Sequence, residues 1–395
     1  MATIQVREYN LERTLGAIRS SGPSTTSQLI RATGLSRPSV NSLVSDLVGL
    51  GWVEVVDPVL DGQGGRPPQR FAFRSRAGLL VGLDIGVHRL SVLLADLDGT
   101  VLLEHQVAVD PALLPPQRLE ALDRAVGDAL AEHGSTAQDV WAVGAAVTGP
   151  VDASGRTPLF SPLPGWTDVD LVAHLSATFS CPVSVENDVK LALLAEHAWG
   201  AAQGVDDVVY ILAGLRTGAA AFVNGVLVKG HAGAAGEIGR LPVVRWKKAI
   251  GILRGDTAGD DDLDVDSSAA ATTFETARRG DPGARRLVRE YARAVATGAS
   301  ALVLTLDPEV VVLGGGSAPW SDLWVPEFSA MVGRSVIRMP DVRVSTLGGD
   351  HVARGAVRLA MNEVEASHLT GGVKPARPPS TAAADAREAV SLGTA

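Results

Sequence analysis

The sequence predicts an α/β protein in two parts. A winged helix-turn-helix head covers residues 1–76, a two-lobed mixed body covers 77–366, and a disordered tail follows over 367–395. Three observations carry this expectation. Two short helices around a tight turn lead into a hairpin with a Gly/Pro-rich tip. A group made of a strand hairpin, then a helix and a strand, then occurs twice, which suggests a duplicated fold with a cleft between lobes. Lastly, residues 1–76 hold nine Arg, no Lys and six Asp or Glu, a balance of +3 against −12 for the rest and −9 overall. A basic head on an acidic body suits a head that meets a polyanion and a body that does not.

In the head, Leu11, Leu15 and Ile18 fall at helical spacing, and Ser20-Ser21-Gly22-Pro23 stops that helix. Thr25 or Thr26 can cap a second helix that ends at Thr33-Gly34. Ser36 is placed to cap a third, with Pro38 in its first turn and Val40, Leu43, Val44 and Leu47 as an apolar stripe. Residues 52–56 alternate like a strand. The tip Asp61-Gly62-Gln63-Gly64-Gly65-Arg66-Pro67-Pro68 leads to a second strand at Phe71–Phe73.

The body opens with apolar strands over 79–85 and 90–96, and the turn Asp98-Gly99 leads into a third strand. A helix over about 117–133 and a strand over 141–147 follow. A strand at 182–186 then runs into a helix over 188–199. The second group has strands at 207–213, 219–223 and 226–228, helices around 270–306, and a strand at 310–313. A last strand at 342–345 and a helix over 351–366 complete it. The Ala-, Pro- and Gly-rich tail is expected to be disordered.

Some classes are excluded early. No apolar run spans a bilayer and the N-terminus lacks the blocks of a signal peptide, so the cytoplasm is the expected compartment and no membrane partner is expected. The single cysteine, Cys181, rules out an internal disulfide framework and a cysteine-built zinc site, and it reads as a small packed residue. The Asp-rich stretch 260–262 lacks calcium-loop spacing and reads as a solvated loop. Neither a metal nor a cofactor is expected.

A capped second helix after a tight turn is helix-turn-helix geometry, in which that helix enters the major groove of double-stranded DNA. Its early polar residues, placed to meet base edges, are Ser36, Arg37, Ser39, Asn41 and Ser42. Arg37 suits guanine and Asn41 suits adenine. Arg66, held extended by two prolines, suits a narrow A·T-rich minor groove. The alternative is a three-helix domain for protein contact.

Several body motifs stand in a fixed order: Val81-Gly82-Leu83-Asp84-Ile85-Gly86, Thr148-Gly149-Pro150-Val151-Asp152, Pro164-Gly165-Trp166, Val185-Glu186-Asn187-Asp188, Ala234-Ala235-Gly236-Glu237-Ile238-Gly239, and Asp307 to Gly316. With the head, this series resembles the ROK family of repressors, open reading frames and kinases, over nearly the whole chain to about residue 366. The resemblance implies an actin/hexokinase-like, ribonuclease H-like body. It implies Asp188 at the general-base position, sugar contacts from Asn187, Asp188, Glu237 and Gly149, and a nucleotide cleft at Asp84, Gly86, Gly214, Gly218, Gly314 and Gly315. Independently, Asn187 and Asp188 sit at a strand end and helix start, where open α/β sheets place ligands. Asn187 can donate and accept, whereas Asp188 and Glu237 accept when ionised. A plain helix cap and a solvated glutamate are the alternative.

The kinase pattern is broken in three places. Val87-His88-Arg89 follows Gly86 where family kinases have a second Gly and a Thr. Gly214-Leu215-Arg216-Thr217-Gly218-Ala219-Ala220 replaces two of four glycines in the other phosphate loop. Arg240 stands for a His, and the four-ligand zinc cluster after it is absent. Arg240 could donate to a sugar hydroxyl or fill the pocket through an ion pair with Glu237. These features together lead to the expectation of a non-enzymatic, sugar-responsive transcriptional repressor. It would act as a homodimer or homotetramer on an inverted-repeat operator, A·T-rich under the wings. An active sugar kinase with a DNA-binding head, and a repressor whose sugar site is dead, are the other readings.

Overall fold

The computed structural model describes residues 2–57, 68–254 and 267–370, with Val373 and Ala376 beyond them. The head contains α1 (Ala2–Ser21), the two-residue β1 (Ser24–Thr25), α2 (Thr26–Thr33), α3 (Arg37–Gly49), β2 (Val53–Val56) and β3 (Arg70–Phe73). Its strands form a small antiparallel sheet in the order β1-β3-β2. Thr25 caps α2 and closes a capping box with Gln28, and Gly34 ends the helix in the left-handed region at φ 69°. Ser36 caps α3, as its position before Pro38 predicts. The stripe Val40, Leu43, Val44 and Leu47 is buried against Leu11, Leu15 and Ile18 of α1 and Leu29 of α2. The wing tip, Arg66 included, lies outside the described residues.

The first lobe comprises β4 (Leu79–Ile85), β5 (Arg89–Ala95), β6 (Val101–Ala108), α4 (Pro115–His133), β7 (Val140–Val147), α5 (Leu171–Ser176) and β8 (Val183–Asn187). The helix α6 (Asp188–Trp199) leads to the second lobe. This lobe contains β9 (Val208–Leu212), β10 (Gly218–Val223), β11 (Val226–Leu227), α7 (Trp246–Arg254), α8 (Ser267–Arg278), α9 (Pro282–Leu306), β12 (Val310–Gly314), α10 (Ser321–Ser335) and β13 (Asp341–Val344). The two sheets are ordered β6-β5-β4-β7-β8 and β11-β10-β9-β12-β13. In each, the first three strands are consecutive antiparallel hairpins and the last two are parallel additions. This repeated topology is the duplication predicted from the sequence, and it is the actin/hexokinase-like arrangement. β7 and β12 are buried at every position, which is why they read as unbroken apolar runs rather than alternating ones. The short helices α5 and α7 and the helix α10 were not expected.

The last helix, α11 (His351–Val364), crosses β4 and β7 and lies along α6. Its approach is close enough that a Cβ at Gly82 or Gly144 would enter the α11 backbone, and one at Gly355 would enter that of α6. A π turn, Glu365–Leu369, extends it to the head.

Head and body share one apolar cluster. Trp52 stacks on Phe73 of the head and meets Trp141 of β7 edge-on at 5.4 Å, while His368 lies 5.3 Å from Trp141. Around this cluster Arg19 of α1 donates to Asp98 at 2.7 Å, to Glu365 at 2.8 Å and to the Leu97 carbonyl at 2.7 Å. Beyond α11, Val373 and Ala376 contact the same cluster, and Ala376 N donates to the Leu50 carbonyl at 2.8 Å. The start of the expected tail is therefore held to the head, because its small apolar residues find the exposed end of α3. The remainder of the tail lies outside the described residues, as does the acidic stretch 260–262. No helix among the described residues is long and apolar enough to cross a membrane.

Candidate functional site

The lobes face each other across a cleft of about 1190 Å³, lined from one side by Asp84, Thr148 and Asp188 and from the other by Arg216, Gly218 and Glu237. Asn187 ends β8 and Asp188 begins α6, so the strand-to-helix transition delivers both to the cleft. Asn187 Oδ1 accepts from Val189 N and Lys190 N at 3.0 and 3.1 Å, and Nδ2 donates to the Gly149 carbonyl at 3.0 Å and to Asp188 Oδ1 at 2.9 Å. Asn187 is thus a helix cap as well as a cleft residue, and its amide positions Asp188. Gly149 needs its freedom: its φ is 117°, and a Cβ there would strike the Phe160 carbonyl.

Asp188 Oδ2 accepts from the Thr148 hydroxyl at 2.9 Å, and Thr148 Oγ1 in turn accepts from the Arg216 guanidinium at 3.1 Å. Burial pushes the Asp188 carboxyl up from its ordinary pKa, against the pull of Arg216 and of its hydrogen bonds. Burial also raises Asp84, helped by the charge of Asp188 and opposed by Arg89 and Arg216, to about 7. Glu237 lies at the solvent-reached edge of the cleft. Partial desolvation raises it first and the charge of Asp188 second, with Lys190 and Arg240 opposing.

No ion pair joins Arg240 to Glu237. The Arg240 guanidinium instead lies over the Phe160 ring, 5.9 Å from its centroid, because the exposed aromatic offers a face at the rim. Of the two roles expected for Arg240, the ion pair with Glu237 is not drawn to salt-bridge distance, although the charge of Arg240 still acts on that carboxyl.

Of the nucleotide-side positions, Asp84, Gly86 and Gly218 line the cleft together with Val87, His88 and Arg89. Gly214 backs onto Gly316, and Gly315 lies against Ala213. Gly314 abuts Tyr210 so closely that a Cβ would stand 2.8 Å from the ring carbons. Trp166 is packed into the first lobe's core, and Cys181 is buried there as expected. His231 lines a separate cavity of about 370 Å³. Among the described residues no group of three or more His, Cys, Asp or Glu could hold a metal ion.

Two supports were missed in the sequence. Arg118 of α4 is fully buried and donates to the carbonyls of Gly86 at 2.8 Å and Val87 at 3.2 Å, fixing the turn that follows β4. Lys190 of α6 is also buried. It donates to the Gly233 carbonyl in the loop that leads to Glu237 and stands 3.9 Å from Glu186, which Lys229 pairs at 2.8 Å. The Glu186/Lys190 spacing carries no helical signal, because Glu186 is still in β8. Arg118 had none either, because only the tertiary fold brings it to that turn.

In the head, Ser36, Arg37, Ser39, Asn41 and Ser42 are all exposed along one end of α3. Ser36 Oγ and Ser39 Oγ are 2.9 Å apart. Arg37 donates to Ser27 Oγ at 3.3 Å, and Thr26 donates to Asn41 Oδ1 at 3.3 Å. The contacts of Arg37 and Asn41, both at 3.3 Å, are long.

The ROK family model matches residues 80–261 and 245–363, and the MarR family model matches residues 13–64. The xylose repressor of Bacillus subtilis (strain 168) is 27% identical over 240 residues, which is 60% of this chain and 61% of that repressor. The chain thus spans less than two thirds of that relative's length. A ROK family glucokinase from Streptomyces griseus, solved with glucose and AMPPNP, is 28% identical with a TM-score of 0.59 over 72% of this chain and 100% of its own. A ROK family transcriptional regulator, a homolog of the E. coli MLC protein, shares the fold at a TM-score of 0.68 and 17% identity, over 91% of this chain and 97% of its own. The chain belongs to the ROK family, with a MarR-type winged helix at the front of its ROK body.

Proposed function

We propose that the protein is a sugar-responsive DNA-binding transcriptional repressor, released from its operator by a sugar or sugar derivative, and that it does not transfer phosphate. Residues 1–76 are the DNA-binding domain and 77–366 the ligand-binding domain. Ser36, Arg37, Ser39, Asn41 and Ser42 read the major groove, and Arg66 enters an A·T-rich minor groove. Asp188, Glu237, Asn187 and Gly149 form the sugar side of the cleft. Two heads in a homodimer or homotetramer fit an inverted repeat.

The observation that carries this reading is Arg216. Its guanidinium is one hydroxyl away from Asp188, in the space a phosphoryl group would need to meet a sugar hydroxyl facing that carboxylate. The signal has a physical path. Lobe closure over a sugar moves α6, α11 grips α6 at Gly355, and the π turn after α11 holds the head through Glu365 and His368. Coupling of about 1–3 kcal/mol suffices to change operator affinity 5- to 150-fold. The persistence of Asp188, oriented by Thr148, favours a second reading as an active kinase.

The test begins with selection of bound duplexes from a random pool. Binding is then followed by fluorescence anisotropy with and without sugars, and phosphosugar formation is assayed with ATP and magnesium. We expect Asp188→Ala and Glu237→Ala to bind the duplex yet ignore the sugar, and Arg37→Ala to lose the duplex. ATP-dependent turnover would establish the kinase instead, and no response to any sugar would point to a dead site.

A further inference from the structure

We infer that Lys190 is a positioning residue of the cleft: it ties the loop 229–237, which carries Glu237, to the helix that begins at Asp188. The inference deepens the proposed function and rests on its reading of Glu237 as a sugar contact. The loop leaves β11 in the second lobe, yet its first half is seated on the first lobe. Gly233, at φ 74°, lies so close to Val151 that a Cβ would stand 1.8 Å from the Val151 carbonyl oxygen. Its own carbonyl accepts from the ammonium of Lys190 on α6. Lys229, at the start of the loop, pairs with Glu186 of β8 at 2.8 Å. Gly236, at φ 94°, is pressed instead on the second lobe, where a Cβ would stand 2.3 Å from the Ala219 carbonyl oxygen of β10. Glu237 thus follows a loop that bridges the lobes, and its place relative to Asp188 depends on the seat of that loop on the first.

The cavity of about 370 Å³ lies beside this loop, lined by Lys229, Gly230, His231 and Gly233 and, opposite them, by Ser184 and Glu363. A loop released from Lys190 has that space to move into. The lysine is buried with Glu186, whose Oε1 accepts from Asn187 N at 2.9 Å, so the seat is continuous with the residue that orients Asp188. The ammonium brings charge as well as a donor. Burial pulls its pKa down, Glu186, Glu237 and Asp188 hold it up, and Lys229 adds to the lowering. Desolvation and then Asp188 raise the Glu237 carboxyl, whereas Lys190 and then Arg240 oppose that rise. Lys190 therefore keeps Glu237 in the ionised form that accepts from a hydroxyl.

The test compares the full chain with three variants, using urea melting as the check of folding. Lys190→Met removes donor and charge, Lys190→Gln keeps a donor without the charge, and Lys190→Arg keeps both. Without ligand, hydrogen exchange at Ala235, Glu237 and Ile238 should quicken in Lys190→Met and less so in Lys190→Gln, with exchange in β9 and β12 unchanged. Calorimetry with glucose, xylose and N-acetylglucosamine then follows binding from acid to neutral pH. A sugar bound by wild type should bind about 10-fold more weakly to Lys190→Met, the loss of one hydrogen bond to a charged group. On acidification, binding should fail at a higher pH in Lys190→Met and Lys190→Gln, since Glu237 takes up its proton sooner without the cation. Lys190→Arg should restore both affinity and acid limit. Unchanged loop exchange in Lys190→Met, or an acid limit that stays at its wild-type pH in Lys190→Gln, would overturn the inference while leaving the sugar-site reading intact. Silence of the wild type toward all three sugars would overturn both.

Discussion

The same substitution should have opposite effects at two glycines. Gly127 lies in the interior of α4 with nothing within 4 Å of where a Cβ would be, and Gly355 lies in the interior of α11 against α6. Alanine is favoured over glycine in a helix interior by about 0.5–1 kcal/mol, so Gly127→Ala should stabilise by that amount. At Gly355 the added Cβ would fall inside the Leu191 carbonyl, and even Leu191 Cα would be only 2.9 Å away. Ordinary contact begins at 3.4 Å, so 3.4 − 2.9 leaves 0.5 Å to be found at Cα and more at the carbonyl. Both partners are helix backbone and neither can rotate aside, so α6 and α11 must separate. Overpacking of this kind costs about 1–3 kcal/mol, enough to exceed the propensity gain. Paired urea denaturations would show the midpoint of Gly127→Ala rising and that of Gly355→Ala falling. The second variant should also respond less to sugar, because the displaced helix begins at Asp188. A Gly355→Ala midpoint equal to or above wild type would refute the argument that α11 and α6 are locked together.

Two further outcomes follow from the electrostatics. Asp84 has its folded pKa raised from 3.8 to about 7. The folded state therefore holds a proton that the unfolded state has released, and Asp84 makes stability decline as pH rises between those values, then level off. Asp84→Asn should remove that slope and raise the melting temperature at pH 8. A lower melting temperature there would contradict the assignment. Arg19→Ala removes three hydrogen bonds, two of them to partly buried carboxylates, and should cost about 1–2 kcal/mol. Hydrogen exchange should quicken in α1; unchanged exchange would mean that head and body hold together without this arginine.

Local chemistry made much of this protein readable. Ser36 before Pro38 marks a helix start whatever surrounds it, and the 3.6-residue spacing of Val40, Leu43, Val44 and Leu47 leaves one face to bury. The parallel strands β7 and β12 were legible as apolar runs, and Asn187-Asp188 as a strand end meeting a helix start. What escaped depends on contacts far apart in the chain. Arg118 is an ordinary arginine on an amphipathic helix until α4 folds over the Gly86–Val87 turn. Arg240 was weighed against Glu237, its near neighbour in sequence, whereas its partner in space is Phe160. Trp52 and Trp141 each look like core residues of separate domains, and nothing in their spacing tells that they meet.

That meeting bears on how such a protein could be taken apart or recombined. A head severed at residue 76 would bare Trp52 and Phe73 to water and strand Arg19 without Asp98 and Glu365. It would be a sticky fragment rather than a portable reader. Grafting it onto a foreign sensor would demand that the host bring its own β7-like strand and a terminal helix ending in the same seat. On the proposed function, operator choice and ligand choice would be inherited together, through the contact of Trp52 with Trp141.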